Sequence, residues 1–113
     1  MCIKTYHYLM QQQEFILRKY SIFEILIVEI YNLLKSSSPN LINSTQILSN
    51  LSPFLQERLN LVLTSQTEKS KLFNSKEEII TYIVNLLVDK ISLIKVNTNG
   101  YYYIQVKNNL YKY

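Results

Sequence analysis

The single glycine of the chain, Gly100, directly follows Asn99 and lies between two runs of β-prone residues. The runs are Leu93–Val96 and Tyr101–Val106. An Asn-Gly pair between two such runs is the strongest short-range signal for a β-hairpin, because both residue types adopt positive φ readily. The chain is therefore expected to fold back on itself in this region.

Two registers are compatible with this hairpin. A two-residue turn places Val96 opposite Tyr103, whereas a four-residue loop places Val96 opposite Tyr101 and Leu93 opposite Ile104. We favour the four-residue loop because it separates the apolar pairs better, although a slip of one residue exchanges the two faces of each strand. Tyr101 and Tyr103 are expected to pack against the core, since tyrosine suits a half-buried strand.

Helical periodicity and helix-start signals dominate the rest of the chain. The predicted helices cover residues 6–19, 22–35, 44–51, 53–64 and 76–90. Four helix starts carry capping signals, namely Ser21 with Glu24, Asn43 with Gln46, Ser52 before Pro53, and Ser75 with Glu78. The helix over 22–35 is apolar on nearly all sides, so we expect it to be the central buried helix. The prediction is one mostly α domain over residues 1–113 with a C-terminal β-hairpin.

Rare residue types exclude several functional classes. A single glycine is too few for a glycine-rich phosphate-binding loop. The chain also has one cysteine, one histidine and one aspartate, namely Cys2, His7 and Asp89, which are too few for a zinc cluster or a local catalytic triad motif. We therefore predict a protein that is not an enzyme and needs no metal or cofactor. Glu24 and Glu29 interrupt the most apolar stretch, so no segment approaches the roughly 18 apolar residues of a membrane span. With no secretory signal, an intracellular location is expected.

The positive charge is concentrated at one end of the sequence. The net charge is +4, and the last 23 residues contribute +3 of it through Lys95, Lys107 and Lys112, with no acidic residue. The helix over 76–90 has a balance of −1, from two lysines against Glu77, Glu78 and Asp89. The C-terminal segment is thus the better candidate for contact with phosphate, and such contact should weaken with salt.

Two stretches resemble winged-helix proteins. Residues 41–51 resemble the second helix of that fold, and residues 79–90, followed by 93–96 and 99–103, resemble its third helix and wing. On this resemblance, residues 21–106 form the core, residues 1–20 an added helix suited to dimerisation, and residues 107–113 a tail. The helix over 53–64 is an addition to the pattern. The order relative to the wing favours 76–90 over 53–64 as the recognition helix.

The resemblance implies a DNA-binding regulator of transcription, with helix 76–90 in the major groove and the wing on the backbone or minor groove. The outer face of that helix is expected to present Thr81, Tyr82 and Asn85 between the acidic Glu78 and Asp89. The candidate contacts to double-stranded DNA are Lys76, Thr81, Asn85, Lys95, Asn97, Asn99, Tyr102 and Lys107. If 53–64 is the recognition helix instead, its candidates are Gln56, Arg58, Asn60 and Thr64.

A second interpretation also fits the sequence. The near-neutral charge of residues 36–90 and the apolar first helices suit a winged-helix-like module that binds protein, either a second copy or another partner. A small viral or plasmid protein that blocks a host factor is a third interpretation.

Overall fold

The computed structural model describes residues 3–38 and 40–105, with side chains described from residue 8 onward except at residue 70. Within these ranges, five α-helices and one 3₁₀ turn precede a small antiparallel sheet. The elements are α1 (Ile3–Lys19), α2 (Phe23–Ser37), α3 (Ser44–Ser49), α4 (Pro53–Ser65), the 3₁₀ turn Glu68–Ser70, α5 (Lys76–Lys90), β1 (Ile94–Val96) and β2 (Tyr102–Ile104). The prediction of a mostly helical chain with a C-terminal hairpin is confirmed, and α5 has its predicted bounds.

Three of the four predicted helix starts are stabilised by a side chain. Asn43 and Gln46 form a complete capping box, in which Asn43 Oδ1 accepts from the Gln46 amide at 2.8 Å and Gln46 Oε1 accepts from the Asn43 amide at 2.9 Å. Ser52 Oγ accepts from the Leu55 amide, and Ser75 Oγ accepts from the Glu78 amide. Each bond satisfies an amide that the helix leaves without a partner.

The predicted capping box of Ser21 and Glu24 is wrong. Ile22 is the N-cap of α2 and provides no side-chain cap, and Ser21 has a positive φ of 60° in the tight α1–α2 turn. The Ser21 amide donates to the Arg18 carbonyl, and the Glu24 carboxylate accepts from the Arg18 guanidinium at 3.3 Å. The turn geometry has displaced Ser21 from the cap position that the local pattern predicted.

The prediction that α2 is the central buried helix is also wrong. The central helix is α5, which contacts α2, α3, α4 and β1. Its inward stripe is buried and consists of Ile79, Ile80, Ile83, Val84 and Leu87. Helix α2 packs on α1, α5 and β2, and leaves Ile25 and Val28 exposed. A domain of this size has too few elements to surround two helices completely.

Glu29 lies half-buried on α2, where its carboxylate has a structural role. It accepts from the Ser52 amide at 2.6 Å and from the Ser52 hydroxyl at 3.3 Å. These bonds join α2 to the turn between α3 and α4, and they account for an acidic residue within an apolar helix, because a half-buried carboxylate needs donors.

The hairpin register differs by one residue from both predicted registers. Val96 pairs with Tyr102, Lys95 with Tyr103 and Ile94 with Ile104. Asn97 sets this register because its Oδ1 accepts from the amides of Asn99 and Tyr101, and its own amide donates to the Tyr101 carbonyl. Three residues then form the loop, with Gly100 at φ 82°, a combination typical of three-residue hairpin loops.

The shift in register exchanges the faces of β2. Tyr102 is 4% exposed and belongs to the core, whereas Tyr101 and Tyr103 are half-buried. The expectation that Tyr101 and Tyr103 pack inward while Tyr102 is available for contacts is therefore wrong. Tyr102 is also bridged to Ile42, whose amide donates to the Tyr102 carbonyl at 3.1 Å while its carbonyl accepts from the Tyr102 amide at 2.7 Å.

Candidate functional site

The predicted contact residues of α5 do not form an open polar face. The Thr81 hydroxyl is half-buried and lies 2.8 Å from the Ser44 hydroxyl at the start of α3, so it joins two helices. Lys76 is half-buried in the first turn. Asn85 is exposed, but it lies between the carboxylates of Glu78 and Asp89. Phosphate would be repelled at this face.

The predicted contact residues of the hairpin differ in how accessible their side chains are. Lys95 is half-buried and Asn99 is exposed. The Asn97 side-chain oxygen accepts two bonds within the loop, and Tyr102 is buried in the core. Lys107 lies outside the described residues. Among the predicted contact residues of the hairpin that the structure describes, Tyr102 is the one whose side chain is buried, and Asn99 is the one that is exposed.

The alternative recognition helix, α4, does not provide a polar reading face either. The Gln56 side-chain amide donates to the Leu48 carbonyl, and the Thr64 hydroxyl donates to the Leu61 carbonyl at 3.2 Å. The guanidinium of Arg58 lies over the ring of Phe54, 5.1 Å from its centroid. Exposed apolar groups, Phe54 and Leu61, lie on the same helix.

A groove between α1 and α5, here called the α1–α5 groove, runs along the face predicted to enter DNA. Its volume is about 320 Å³. The lining residues are Leu9, Met10 and Gln13 on α1, Phe73 before α5, and Glu78, Thr81, Tyr82, Asn85, Leu86 and Asp89 on α5. The charged side chains among them are both carboxylates. The predicted recognition face is therefore the acidic wall of a groove.

Tyr82 joins the two walls of this groove. Its hydroxyl donates to the Met10 carbonyl at 3.3 Å, and its ring meets that of Phe73 edge to face, with centroids 5.8 Å apart. Burial, reinforced by the Glu14 carboxylate, raises the pKa of Tyr82 to about 12. Tyr82 is therefore a protonated donor throughout the physiological range.

A second surface, the α1–α2 strip, consists of Phe15 and Arg18 on α1 and Ile25 and Val28 on α2. Phe15 is 65% exposed, Ile25 43% and Val28 58%. Three neighbouring depressions in the surface share lining residues along this strip. Arg18 lines both the depression beside Phe15 and the middle one, and Glu24 and Ile25 line both the middle one and the depression beside Val28. Exposed apolar groups that adjoin one another indicate an interaction surface.

Charge beside the α1–α2 strip is only partly balanced, because one arginine meets two carboxylates. Arg18 bonds Glu14 at 2.8 Å and Glu24 at 3.3 Å, and its guanidinium lies 4.4 Å from the centroid of the Phe23 ring. The hydrogen bond to Glu14 raises the pKa of Arg18 above its ordinary value. The fixed arginine leaves the neighbouring apolar groups without a competing free cation.

The sequence prediction assigned the first helices to association but did not identify Phe15, Ile25 and Val28. The available signal was the all-round apolar character of residues 22–35, because a small domain seldom covers such a helix on every side. The position of α1 then determines which part stays uncovered, and this position is a tertiary property.

Two further observations concern the described part of the chain. No group of three or more His, Cys, Asp or Glu side chains is arranged there to hold a metal ion. None of its helices combines the length and the apolar character needed to cross a membrane.

Comparison with known proteins gives no match: no family model, no curated protein and no solved structure is similar to this chain.

Proposed function

We propose that this protein is a non-enzymatic, winged-helix-like interaction module that self-associates through the α1–α2 strip. The observation that carries the proposal is the uncovered apolar set Phe15, Ile25 and Val28 on two adjacent helices. Burying such groups against a partner removes apolar surface from water and provides the main driving force for association.

A second copy is the partner that the apolar set of the strip favours. Arg18 already bonds Glu14 and Glu24, so the strip presents no unpaired cation that would need an acidic partner. Two copies related by a two-fold axis place the same apolar groups against each other, which is the usual geometry of a homodimer. This assigns dimerisation to α1 together with α2.

The order of elements supports the winged-helix-like interpretation. Helix α5 packs on α2 and α3, and it is followed directly by the hairpin, whose β2 strand is bridged to Ile42 between α2 and α3. Helices α1 and α4 are then additions to a core of α2, α3, α5 and the hairpin.

Analytical ultracentrifugation of the full chain tests self-association. We expect the wild type to sediment as a dimer and the double variant Ile25→Gln/Val28→Gln to sediment as a monomer, because two amides replace apolar contacts. Leu61→Gln is the matched control: Leu61 is also 43% exposed but lies on α4, outside the strip. A wild type that stays monomeric at every accessible concentration, or equal loss of dimer in the control, would overturn the proposal.

Duplex DNA binding by the hairpin, as part of transcription regulation, is a second candidate function. The observation that favours it is the charge of the last 23 residues, +3 without an acidic residue. The acidic wall formed by Glu78 and Asp89 disfavours base reading by α5, so this candidate is limited to backbone contacts from Lys95, Asn99 and Lys107.

Fluorescence anisotropy with random and AT-rich duplexes across a salt series tests this candidate. We expect Lys95→Ala/Lys107→Ala to weaken binding equally for both duplexes and to reduce the salt slope by about 2, one counterion for each lost contact. Lys69→Ala/Lys71→Ala removes the same charge from the exposed segment between α4 and α5 and is the control. Undetectable affinity at low salt, or equal loss in the control, would remove the candidate.

A further inference from the structure

The α1–α5 groove has an apolar floor and an acidic group toward each end. Leu9, Met10 and Leu86 contribute apolar surface, and Glu78 and Asp89 are eleven residues apart on α5. Eleven residues of α-helix span about 16 Å. Such a groove suits an extended, cationic and partly apolar segment, because the carboxylates attract cations and the floor accepts apolar side chains.

We propose that residues 106–113 of this same chain bind in the α1–α5 groove. The described chain ends at Gln105, directly after β2. Strand β2 runs antiparallel to β1, back toward the α5–β1 junction, and the Gln105 amide donates to the Leu93 carbonyl at 2.7 Å. Leu93 follows Asp89 by four residues, so the segment starts close to the acidic group at the C-terminal end of α5.

The length of this segment is sufficient. Eight residues span at most about 26–29 Å when extended. The distance to be covered along α5, from Asp89 to Glu78, is about 16 Å. A covalent connection also raises the effective concentration of the segment at the groove, so binding requires only modest intrinsic affinity.

Charge and spacing of the segment complement the groove. It contains Lys107 and Lys112 and no acidic residue. Lys107 and Lys112 are five positions apart, about 17 Å in an extended chain, which is comparable with the distance of about 16 Å between Asp89 and Glu78 along α5. Leu110 lies between the lysines in the sequence and gives the segment an apolar side chain.

Glu78 is held in position for this contact. Its carboxylate accepts from the Asn74 amide at 3.0 Å and from the Asn74 side chain at 3.2 Å, and these bonds fix the carboxylate at the start of α5. The lining of the groove shares no residue with the α1–α2 strip, so the two proposals are independent. Binding in the groove would withdraw Lys107 from phosphate and would compete with duplex binding by the hairpin.

Paramagnetic relaxation enhancement on the full chain tests the proposal. Cys2→Ser removes the native thiol, and Tyr113→Cys accepts a nitroxide spin label. We expect a loss of amide peak intensity at Gln13 and Asn85, beside the groove, and no loss at Val28, on the α1–α2 strip. Glu78→Gln/Asp89→Asn should restore the lost intensity, and so should a high salt concentration, because both weaken the ionic contacts.

Control variants distinguish this contact from nonspecific relaxation and from contact between chains. Glu77→Gln removes an adjacent carboxylate of α5 that does not line the groove, and it should leave the loss unchanged. Asp89→Asn alone provides a variant without altered bonds at the start of α5, should the double variant fail to fold. Uniform loss over all amides, or loss that persists in both groove variants, would overturn the proposal. A mixture of two kinds of chain tests for contact between copies: one kind carries the isotope label without a spin label, and the other carries the spin label without an isotope label. A loss of amide peak intensity in this mixture would assign the contact to a second copy and would also overturn the proposal.

Discussion

Helices α2 and α5 each have 15 residues, and α2 has the more apolar sequence, yet α5 is the helix at the centre of the fold. The apolar stripe of α5 is buried by neighbours on several sides, and Ile79, Ile80 and Ile83 have no exposed surface. Helix α2 buries Leu26, Ile30 and Leu34, but leaves Ile25 and Val28 in solvent. Apolar character alone therefore does not determine which helix is central, and an apolar helix can keep one face uncovered.

The largest expected effect is on stability when a buried residue of α5 is truncated. Ile83→Ala should lower the free energy of unfolding by about 2–5 kcal/mol, because it loses apolar burial and leaves a cavity. Val28→Ala on α2 should change it by less than about 0.5 kcal/mol, since Val28 is 58% exposed. Urea denaturation at low protein concentration measures both. Equal losses would show that the two helices are buried alike.

The N-terminal cap stabilises α5 but not α2. Ser75 caps α5, so Ser75→Ala should cost about 1 kcal/mol in unfolding free energy. Ser21 precedes α2 without capping it, so Ser21→Ala should remove no capping contribution. Thermal and urea unfolding of the two variants provide the comparison. A loss for Ser21→Ala as large as that for Ser75→Ala would restore the rejected capping box.

Backbone strain distinguishes the α1–α2 turn from the start of α5. Ser21 has φ 60°, a region that glycine adopts without steric cost. Ser21→Gly should therefore raise the free energy of unfolding by up to about 1 kcal/mol, and the melting temperature with it. The same change at Ser75, where φ is −155°, should not stabilise the protein. Destabilisation by Ser21→Gly would contradict the turn geometry.

The last expected effect depends on pH and concerns Tyr82, which joins α5 to α1. Its pKa is raised from 10.0, the ordinary value for tyrosine, to about 12, so the folded state retains a proton that the unfolded state loses in this range. The contribution of Tyr82 to stability is thus complete below pH 10 and falls as the pH rises toward 12. Tyr82→Phe should show a shallower loss of stability in that window. Identical pH profiles by urea denaturation would contradict the raised pKa.

Local sequence patterns predicted the exposure of some candidate contact residues but not of others. Asn85 and Asn99 were predicted to be accessible, and they are exposed. Thr81 and Tyr102 could not be assigned from local pattern, because Ser44 occupies the Thr81 hydroxyl and a one-residue register shift buries Tyr102. The α1–α2 strip and the α1–α5 groove both depend on where α1 packs, which is not encoded in the periodicity of any one helix.

Elements whose causes lie within a few residues could be derived from the amino-acid order alone. Asn43 with Gln46, Ser52 before Pro53, and Ser75 start their helices through bonds within three residues, and the Asn-Gly pair correctly located the hairpin. Three other features emerge only in the packed molecule: the central position of α5, the hairpin register that bridges Ile42, and the placement of α1 beside α5. The difference lies in the sequence separation of the interacting groups. Caps and turns form hydrogen bonds between backbone and side-chain groups a few residues apart, whereas burial depends on contacts between segments distant in the chain.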